Sequence, residues 1–242
     1  MSAFGPVSGN LLLARLPRED RRLIEAHLER VPFEAGALLN GAGAAIDGFY
    51  FPEGGVASLH DVLESGARVG LGIVGREGFT GWEVLLGTQY ARHEAMVGIS
   101  GQTALRIAPD RLLEACGESP TLRAMLLRFV QTFLTQMGRT IVSNLNDPAE
   151  SRLARWLLMN HDRIEGDAIA ITHSQIGVML GVRRATVTDA LHILEGNHLI
   201  RSTRGQICIR DREGLKRMAG ESYGPPEAEY RHLLAPFGKD PG

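Results

Sequence analysis

Cysteine is nearly absent from this chain of 242 residues. Its two cysteines, Cys116 and Cys208, are far apart and fall in different predicted structural units. Two isolated thiols suit a reducing cytoplasm better than a disulfide-bonded secreted protein, so we expect a cytoplasmic location. They are also too few for a cysteine-ligated iron–sulfur cluster, which normally takes four thiolates.

Long apolar runs are missing as well. The chain has no stretch of about 18 consecutive apolar residues, so neither a membrane-spanning helix nor a membrane partner is predicted. Its first residues, Met-Ser-Ala-Phe-Gly-Pro, lack the basic start and apolar core of a secretory signal. With 44% hydrophobic and 22% charged residues, the composition is that of a globular protein with one large or two modest domains.

Clusters of catalytic or metal-binding side chains are scarce. His27, His60 and His93 are isolated in the sequence, and a lone histidine is more often structural than a metal or haem ligand. A cupin-like metalloenzyme would need clustered histidines and a carboxylate on facing strands, and His60 with the pair His93 and Glu94 is too sparse a set. We therefore expect a protein that is not an enzyme and has no metal site.

Glycines and short alternating apolar runs fill residues 31–107. The runs lie at residues 48–51, 55–60, 69–74, 94–99 and 103–107. Many short strands at near-regular spacing, separated by turn residues, indicate an all-β sandwich, barrel or jelly roll.

A long helix is predicted from about residue 120 to residue 145. Two apolar stripes run along it: Leu122, Leu126, Phe129, Phe133 and Met137 form one, and Leu127, Leu134 and Ile141 form the other. A face this wide can contact both its own β domain and a second chain, which favours a coiled-coil-like homodimer over a helix buried within one chain. Asp147-Pro148 ends the helix, so we place a domain boundary near Asn146.

Residues 172–200 carry the most informative pattern, which begins with a short helix. Thr172 can cap that helix while Gln175 reaches back, as in a capping box. Its apolar face comprises Ile176, Met179 and Leu180. Gly181 stands where the chain must reverse, and glycine tolerates the positive φ that a helix end requires.

A second helix starts at about Arg183 and ends at Gly196 and Asn197. Its inner face comprises Val187, Leu191 and Leu194, and its outer face Arg183, Arg184, Thr186, Thr188, Asp189 and His192. An ordinary amphipathic hairpin with a solvated polar face is the alternative. Because the cap, the turn glycine and the inner-face spacing agree, we favour a helix-turn-helix, whose second helix enters the DNA major groove.

A predicted hairpin follows, with an apolar strand, a Thr-Arg-Gly-Gln turn and an alternating strand within residues 199–210. It forms a wing, from which Arg201 and Arg204 point toward phosphates, and a short strand at residues 168–171 can complete the sheet. Residues 172–218 contain eight Lys and Arg against four Asp and Glu, a net charge of +4 in a chain whose total is −2. A basic segment on an acidic body predicts double-stranded DNA as the partner.

The order of β domain, long helix and winged helix-turn-helix resembles the CRP/FNR family of bacterial transcription regulators. The resemblance is strongest at residues 172–200, and Gly75-Arg-Glu-Gly-Phe-Thr-Gly81 is similar to the family's cyclic-nucleotide-binding jelly roll. It implies an α+β protein that binds palindromic operators as a homodimer and contacts RNA polymerase. The implied domains are a sensor domain at residues 1–146 that includes the long helix, a winged helix-turn-helix at 147–220 and a tail at 221–242.

The same resemblance implies roles for the second helix. Arg184 matches the arginine that reads a guanine edge, Ala185 replaces an acidic residue, and Asp189 replaces an arginine. Asp189 can accept from a cytosine amino group or restrain Arg184, so we expect a half-site that differs from the best-known family consensus. The positions implied on the phosphate side are Thr172, His173, Ser174, Thr186 and Thr188. For Thr188 a helix-surface position without a DNA contact stays open.

The ligand cassette departs from the family pattern. When Phe79-Thr-Gly-Trp-Glu is aligned with the family cassette, Trp82 takes the place of the glutamate that binds the ribose. Arg92 then falls at the arginine that binds the phosphate, and His93 replaces the serine that follows it. An indole cannot accept a hydroxyl hydrogen bond, so we predict no cofactor and a pocket that does not use cAMP. The candidate ligand positions are Gly81, Trp82, Glu83, Arg92, His93 and Gln136. A one-residue slip would bring Glu83 into use, which leaves a cyclic nucleotide open as an alternative ligand. Arg92 is either an anion ligand or a surface arginine.

Two further alternatives concern the function and the tail. A ligand- or anion-sensing module whose helix-turn-helix contacts protein is the competing function. The tail after Ala219 has prolines and little periodicity, which fits either a short docked extension or partial disorder.

Overall fold

The computed structural model describes residues 9–239, and the N-terminal residues used for the secretory-signal interpretation lie outside that range. The chain forms two compact units. Of the described residues, the first unit contains 9–59 and Val74–Val130, and the second contains His60–Ile73 and 131–239. This division falls inside the long helix, and the domain boundary near Asn146 stays a prediction.

The first unit is built mainly from short strands. The helices before the long helix are α1 (Leu11–Ala14), α2 (Arg18–Glu25) and α3 (Pro109–Glu118). The strands before the long helix are β1 (Glu29–Pro32), β2 (Leu38–Asn40), β3 (Phe49–Pro52), β4 (Val56–Val62), β5 (Arg68–Val74), β6 (Glu94–Ile99) and β7 (Thr103–Ile107). All lie in the first unit except the end of β4 and most of β5, which are counted with the second. They form two sheets with the orders β1-β7-β3 and β2-β6-β4-β5. The predicted jelly roll is confirmed.

Aromatic side chains fill the core of the first unit. Phe49, Phe51 and Phe79 are fully buried, and the Phe51 and Phe79 rings stack with centroids 5.1 Å apart. Phe129 joins them at 5.2 Å from Phe79. Each such ring contributes about 1.5–3 kcal/mol through burial, so this cluster is a main source of the unit's stability.

The long helix α4 spans Pro120–Asn146, close to its predicted bounds. Its N-terminal half buries Leu122, Leu126, Phe129 and Val130. On its C-terminal half, four large apolar side chains are exposed: Leu134, Ile141, Val142 and Leu145. In the chain by itself, the second apolar stripe is thus open to solvent beyond residue 133. No described helix is long and apolar enough to cross a membrane.

The second unit is mainly helical. After α4 come α5 (Ala149–His161), β8 (Ala168–Ala170), α6 (His173–Leu180), α7 (Arg184–Gly196), β9 (Ile200–Thr203), β10 (Gln206–Ile209) and α8 (Arg212–Ala219). The strands form an antiparallel sheet with the order β8-β10-β9. The predicted winged helix-turn-helix is confirmed, including the short strand that completes its sheet.

The tail is folded as far as Lys239. A 3₁₀ turn at Gly220–Ser222 leads into helix α9 (Pro225–Leu233). Tyr230 and Phe237 are buried, and their ring centroids lie 5.0 Å apart. Of the two alternatives for the tail, the docked extension is the one that the structure forms over this range.

Candidate nucleic-acid interface

Helix α6 begins with the predicted capping box. The Thr172 hydroxyl oxygen accepts a hydrogen bond from Gln175 N at 3.3 Å, and Gln175 Oε1 accepts from Thr172 N at 3.0 Å. Gly181 ends the helix with φ of +62°, which a residue with a Cβ adopts only at a cost. Both ends of α6 are therefore fixed by local chemistry.

The turn between α6 and α7 depends on a glycine that the sequence pattern did not single out. A Cβ atom added at Gly177 would lie 2.9 Å from the carbonyl oxygen of Val182. The two backbones are also joined by a hydrogen bond from Val182 N to Gly177 O at 3.0 Å. A glycine among apolar residues in the middle of a short helix was the available signal, because it indicates close backbone contact.

Helix α7 buries one face and exposes the other. Val187, Leu191 and Leu194 are buried on the inner face, as predicted. On the other face the exposed residues are Arg183, Arg184, Ala185, Asp189 and His192, and Thr186 and Thr188 are half-buried. Arg183 occupies the N-cap without a side-chain capping bond, so the helix presents two cationic side chains at its amino end.

The Thr188 hydroxyl connects the two helices. It lies 3.1 Å from His173 Nδ1 at the start of α6, and it donates to Arg184 O at 3.1 Å within α7. This pair of contacts fixes the position of the first turn of α7 against α6. DNA contacts of His173 and Thr188 stay predictions, and so do those of the exposed Thr172 and Ser174.

The wing places two more arginines at the surface. Arg201 on β9 and Arg204 at the hairpin turn are both exposed, and Gly205 completes the turn with φ of +75°. Glu195 of α7 accepts a hydrogen bond from Ser202 N at 3.0 Å. Glu195, which was not among the predicted site residues, thereby holds the wing against α7.

The positions of the ligand cassette fall largely in the core of the first unit. Trp82 is buried, and its ring centroid lies 6.5 Å from that of Phe79 and 6.3 Å from that of Phe129. Gly81 is buried with φ of +88°. Burial raises the pKa of the neighbouring Glu83 carboxyl, because the charged form loses hydration. The indole thus packs as part of the aromatic cluster.

The remaining ligand candidates differ in their surroundings. Arg92 is exposed and His93 is half-buried. Gln136 is buried, and its amide is bonded twice to the backbone of Ile73: Oε1 accepts from Ile73 N at 2.8 Å and Nε2 donates to Ile73 O at 3.1 Å. The Gln136 amide therefore serves to hold strand β5.

Residues that could carry metal or thiol chemistry are dispersed. Within residues 9–239, no three His, Cys, Asp or Glu side chains form a group able to hold a metal ion. Both cysteines are free thiols, and burial raises the pKa of Cys116 to about 11. The Cys116 thiol is therefore protonated at neutral pH and is a poor nucleophile.

Known proteins share both the sequence pattern and the fold. Residues 151–218 match the Crp-like helix-turn-helix domain. The transcriptional regulator SdrP of Thermus thermophilus is 29% identical over 204 residues, which cover 81% of this chain and 96% of SdrP. A solved CRP/FNR-family transcriptional regulator, also of Thermus thermophilus, is 25% identical with a TM-score of 0.63, covering 79% of this chain and 98% of that one.

Residues 151–218 belong to the Crp-like helix-turn-helix domain family, and the chain is similar in sequence and fold to CRP/FNR regulators. FixK2 from Bradyrhizobium japonicum shares the fold, with 20% identity and a TM-score of 0.68 over 80% of this chain and 98% of its own. The predicted resemblance to CRP/FNR transcription regulators is thus confirmed, and α6, α7 and the wing lie within the Crp-like helix-turn-helix domain. The helix-turn-helix match ends at residue 218, so α9 and the residues around it lie beyond it.

Proposed function

We propose that this CRP/FNR regulator binds palindromic DNA operators as a homodimer, and that it does so without cAMP and without catalysing a reaction. The observation that carries the proposal is the exposed pair Arg183 and Arg184 at the start of α7, on a helix fixed by its packing against α6. A cytoplasmic location suits both a DNA target and two free thiols.

Base reading is assigned to Arg184, with help from Asp189. An exposed guanidinium at the amino end of a recognition helix can donate two hydrogen bonds to the O6 and N7 atoms of guanine. Asp189 is exposed on the same helix and can accept from a cytosine amino group. Ala185 offers no polar group, so the base pair that it faces is read through DNA shape or through contact with a thymine methyl group.

Phosphate contacts are assigned to both flanks of α7. Arg201 and Arg204 supply charge from the wing, and the polar groups of Thr172, His173 and Ser174 supply hydrogen bonds from the start of α6. The net charge of +4 over residues 172–218 attracts DNA regardless of its sequence. These contacts orient the module and carry no base specificity.

Dimerisation is assigned to the C-terminal half of α4. Leu134, Ile141 and Leu145 recur at steps of seven and four, and they are 52%, 60% and 80% exposed. Gly138 lies between them on the same stripe and would let two backbones approach closely. An apolar stripe at heptad spacing is buried by pairing with a second copy, which places the two recognition helices about 34 Å apart, or one DNA turn.

The regulator responds to a signal other than cAMP. Trp82 stands at the ribose-binding position of the family cassette, and its ring packs against the rings of both Phe79 and Phe129. Displacing a buried tryptophan to admit a nucleotide would cost several kcal/mol, about the burial energy of a large aromatic side chain. RNA polymerase is the further partner that membership in the family suggests.

Selection of binding sites from genomic DNA by the purified protein tests this proposal. We expect enrichment of a palindrome, and affinity for it that falls steeply between about 50 and 200 mM salt, since several phosphate contacts release counterions. Addition of cAMP should leave the dissociation constant unchanged within about twofold. Failure to bind any genomic fragment in a salt-sensitive way would favour the alternative, a module that contacts protein. A large gain in affinity with cAMP would overturn the role given to Trp82.

A further inference from the structure

The last described segment is an integral part of the second unit, although it lies beyond the helix-turn-helix match. Residues 220–239 include Ser222, Glu227, Tyr230 and Phe237, which are each at most 6% exposed. The Arg163 guanidinium lies over the Phe237 ring at 5.1 Å. We refer to residues 220–239 as the C-terminal brace.

Arg155 of α5 links this segment to the long helix. Its side chain is 5% exposed, its Nε donates to Ser222 O at 2.9 Å, and its Nη2 donates to Gln136 O at 3.3 Å. One guanidinium therefore joins three elements: α5, the C-terminal half of α4 and the brace. A planar fork of donors suits such a bridge, whereas a lysine has a single nitrogen to share.

The contacts of Arg155 extend in both directions. Gln136 is bonded through its side chain to the backbone of Ile73 in β5. Asp147, just after α4, accepts hydrogen bonds from Ser143 Oγ at 2.6 Å and from Ser222 Oγ. The brace thereby contacts the junction between α4 and α5 through both the main chain and the side chain of Ser222.

A second set of contacts holds the brace to the far end of α5. Asp162 accepts from Arg212 Nη2 at 2.6 Å and from Tyr223 OH at 2.7 Å, and Arg212 Nη2 also donates to Tyr223 OH at 2.8 Å. Lys239 N donates to the same carboxylate at 3.3 Å. The brace is thus attached at both ends of α5.

The hydrogen bonds of Arg155 matter more because its guanidinium is buried. Burial lowers the pKa of Arg155 to about 10, so the guanidinium remains charged at neutral pH. A buried charge that loses a partner is left with an unmet desolvation cost, and the surroundings then rearrange to relieve it. The carbonyls of Gln136 and Ser222 consequently restrict how α5 can turn relative to α4.

We infer that the C-terminal brace sets the angle between α5 and the C-terminal half of α4, with Arg155 as the positioning residue, and so determines which half-site spacing the regulator accepts. The inference rests on the proposed function, because α4 carries the proposed dimer face and α5 leads into the DNA-binding module. A rigid junction gives a dimer one favoured distance between its recognition helices. A loosened junction lets the same dimer adapt to several distances.

The test is a spacing series on full-length protein. The selected palindrome is compared with versions whose half-sites are moved apart or together by one and two base pairs. For wild-type protein each altered spacing should weaken binding by about tenfold or more, because the second half-site no longer faces its helix. Two variants are compared with it: Arg155→Lys and the milder Ser222→Ala. In both, the loss of affinity at an altered spacing should shrink to about threefold, while the affinity for a single half-site stays unchanged. Glu221→Ala, an exposed neighbour of Ser222, is the matched control and should retain the wild-type profile.

Three results separate the possibilities. A wild-type protein that recognises no palindrome refutes the proposed function itself. A wild-type spacing preference that persists in both variants overturns the inference, even if their melting temperatures fall, because the brace would then only add stability. A flattened profile with an intact half-site affinity supports Arg155 as the positioning residue.

Discussion

Single residues determine which groups the recognition helix offers to DNA. Arg183, Arg184 and Asp189 are exposed on α7 because the inward positions of that helix are apolar, with Val187 and Leu191 buried. The His173 and Thr188 contact then fixes the first turn of the helix. Residues that need not touch DNA therefore determine where the two arginines lie on the surface.

We predict that Arg184→Ala weakens binding to the selected operator by about 1–3 kcal/mol and weakens binding to random DNA little, because it removes a base contact. Electrophoretic mobility shift or fluorescence anisotropy on both DNAs measures the difference. Arg111→Ala, an exposed arginine on α3, is the control and should change neither affinity. An equal loss on both DNAs would make Arg184 a phosphate contact.

The surroundings of His161 lead us to predict that the stability of the protein depends on pH. Burial lowers its pKa below the ordinary 6.5, with Lys239 and Arg212 acting in the same direction and Asp167 opposing them. The unfolded chain then binds the proton more readily, so this contribution to stability is complete above about pH 6.5 and is lost as the pH falls below that value. The wild-type free energy of unfolding should fall from about pH 7.5 to pH 5.5 by more than that of His161→Gln, as urea titrations would show. Identical slopes for the two proteins would refute this role of His161.

At the scale of secondary-structure elements, two contacts hold the helix-turn-helix and its wing together. Helices α6 and α7 approach through Gly177, whose missing side chain admits the Val182 carbonyl. The wing is held to α7 by Glu195. The helix-turn-helix is therefore held together by contacts between elements as well as by its capping box.

Gly177→Ala should destabilise the protein by about 1–3 kcal/mol, because its Cβ would lie 2.9 Å from a backbone oxygen and force the turn to shift. Operator binding should weaken along with it, since the shift moves the start of α7. Gly117→Ala, in an open part of α3, is the matched substitution and should be neutral or stabilising by up to about 1 kcal/mol. Chemical denaturation of the two variants decides the matter, and equal stabilities would show that the turn adapts freely.

At the scale of the whole molecule, helix α4 contributes residues to both units. Its N-terminal half is buried in the first unit, while Leu134, Ile141 and Leu145 remain exposed on its C-terminal half. The C-terminal brace then holds α5 against that same half through Arg155. One helix thus combines a folded core, a proposed dimer face and a junction with the DNA-binding module.

Ile141→Glu should weaken dimerisation by more than about 100-fold, because pairing would bury a carboxylate without a partner. Leu113→Glu, a similarly exposed apolar position on α3, should leave the dimer intact. Sedimentation velocity over a concentration series distinguishes the two variants. A monomeric wild-type protein, or an Ile141→Glu variant that dimerises normally, would contradict the proposed face.

Much of the architecture could be predicted because it depends on neighbours along the chain. The capping box of Thr172 and Gln175 spans three residues, and the Gly181 turn and the wing hairpin are equally local. The alternation of the strands and the stripes of α4 follow from the periods of strand and helix. The basic segment at residues 172–218 is a matter of composition alone.

The sequence by itself determined the winged helix-turn-helix, the long helix and the resemblance to CRP/FNR regulators, since short-range spacing specifies capping, turns and amphipathic faces. Only the tertiary structure decided that the Gln136 amide holds the backbone of Ile73, 63 residues away, and that Arg155 bonds Ser222 across 67 residues. It also decided that the tail docks and that Trp82 joins an aromatic core. The reason is physical: a polar or aromatic side chain has several competent partners, and the folded packing selects which one lies within reach.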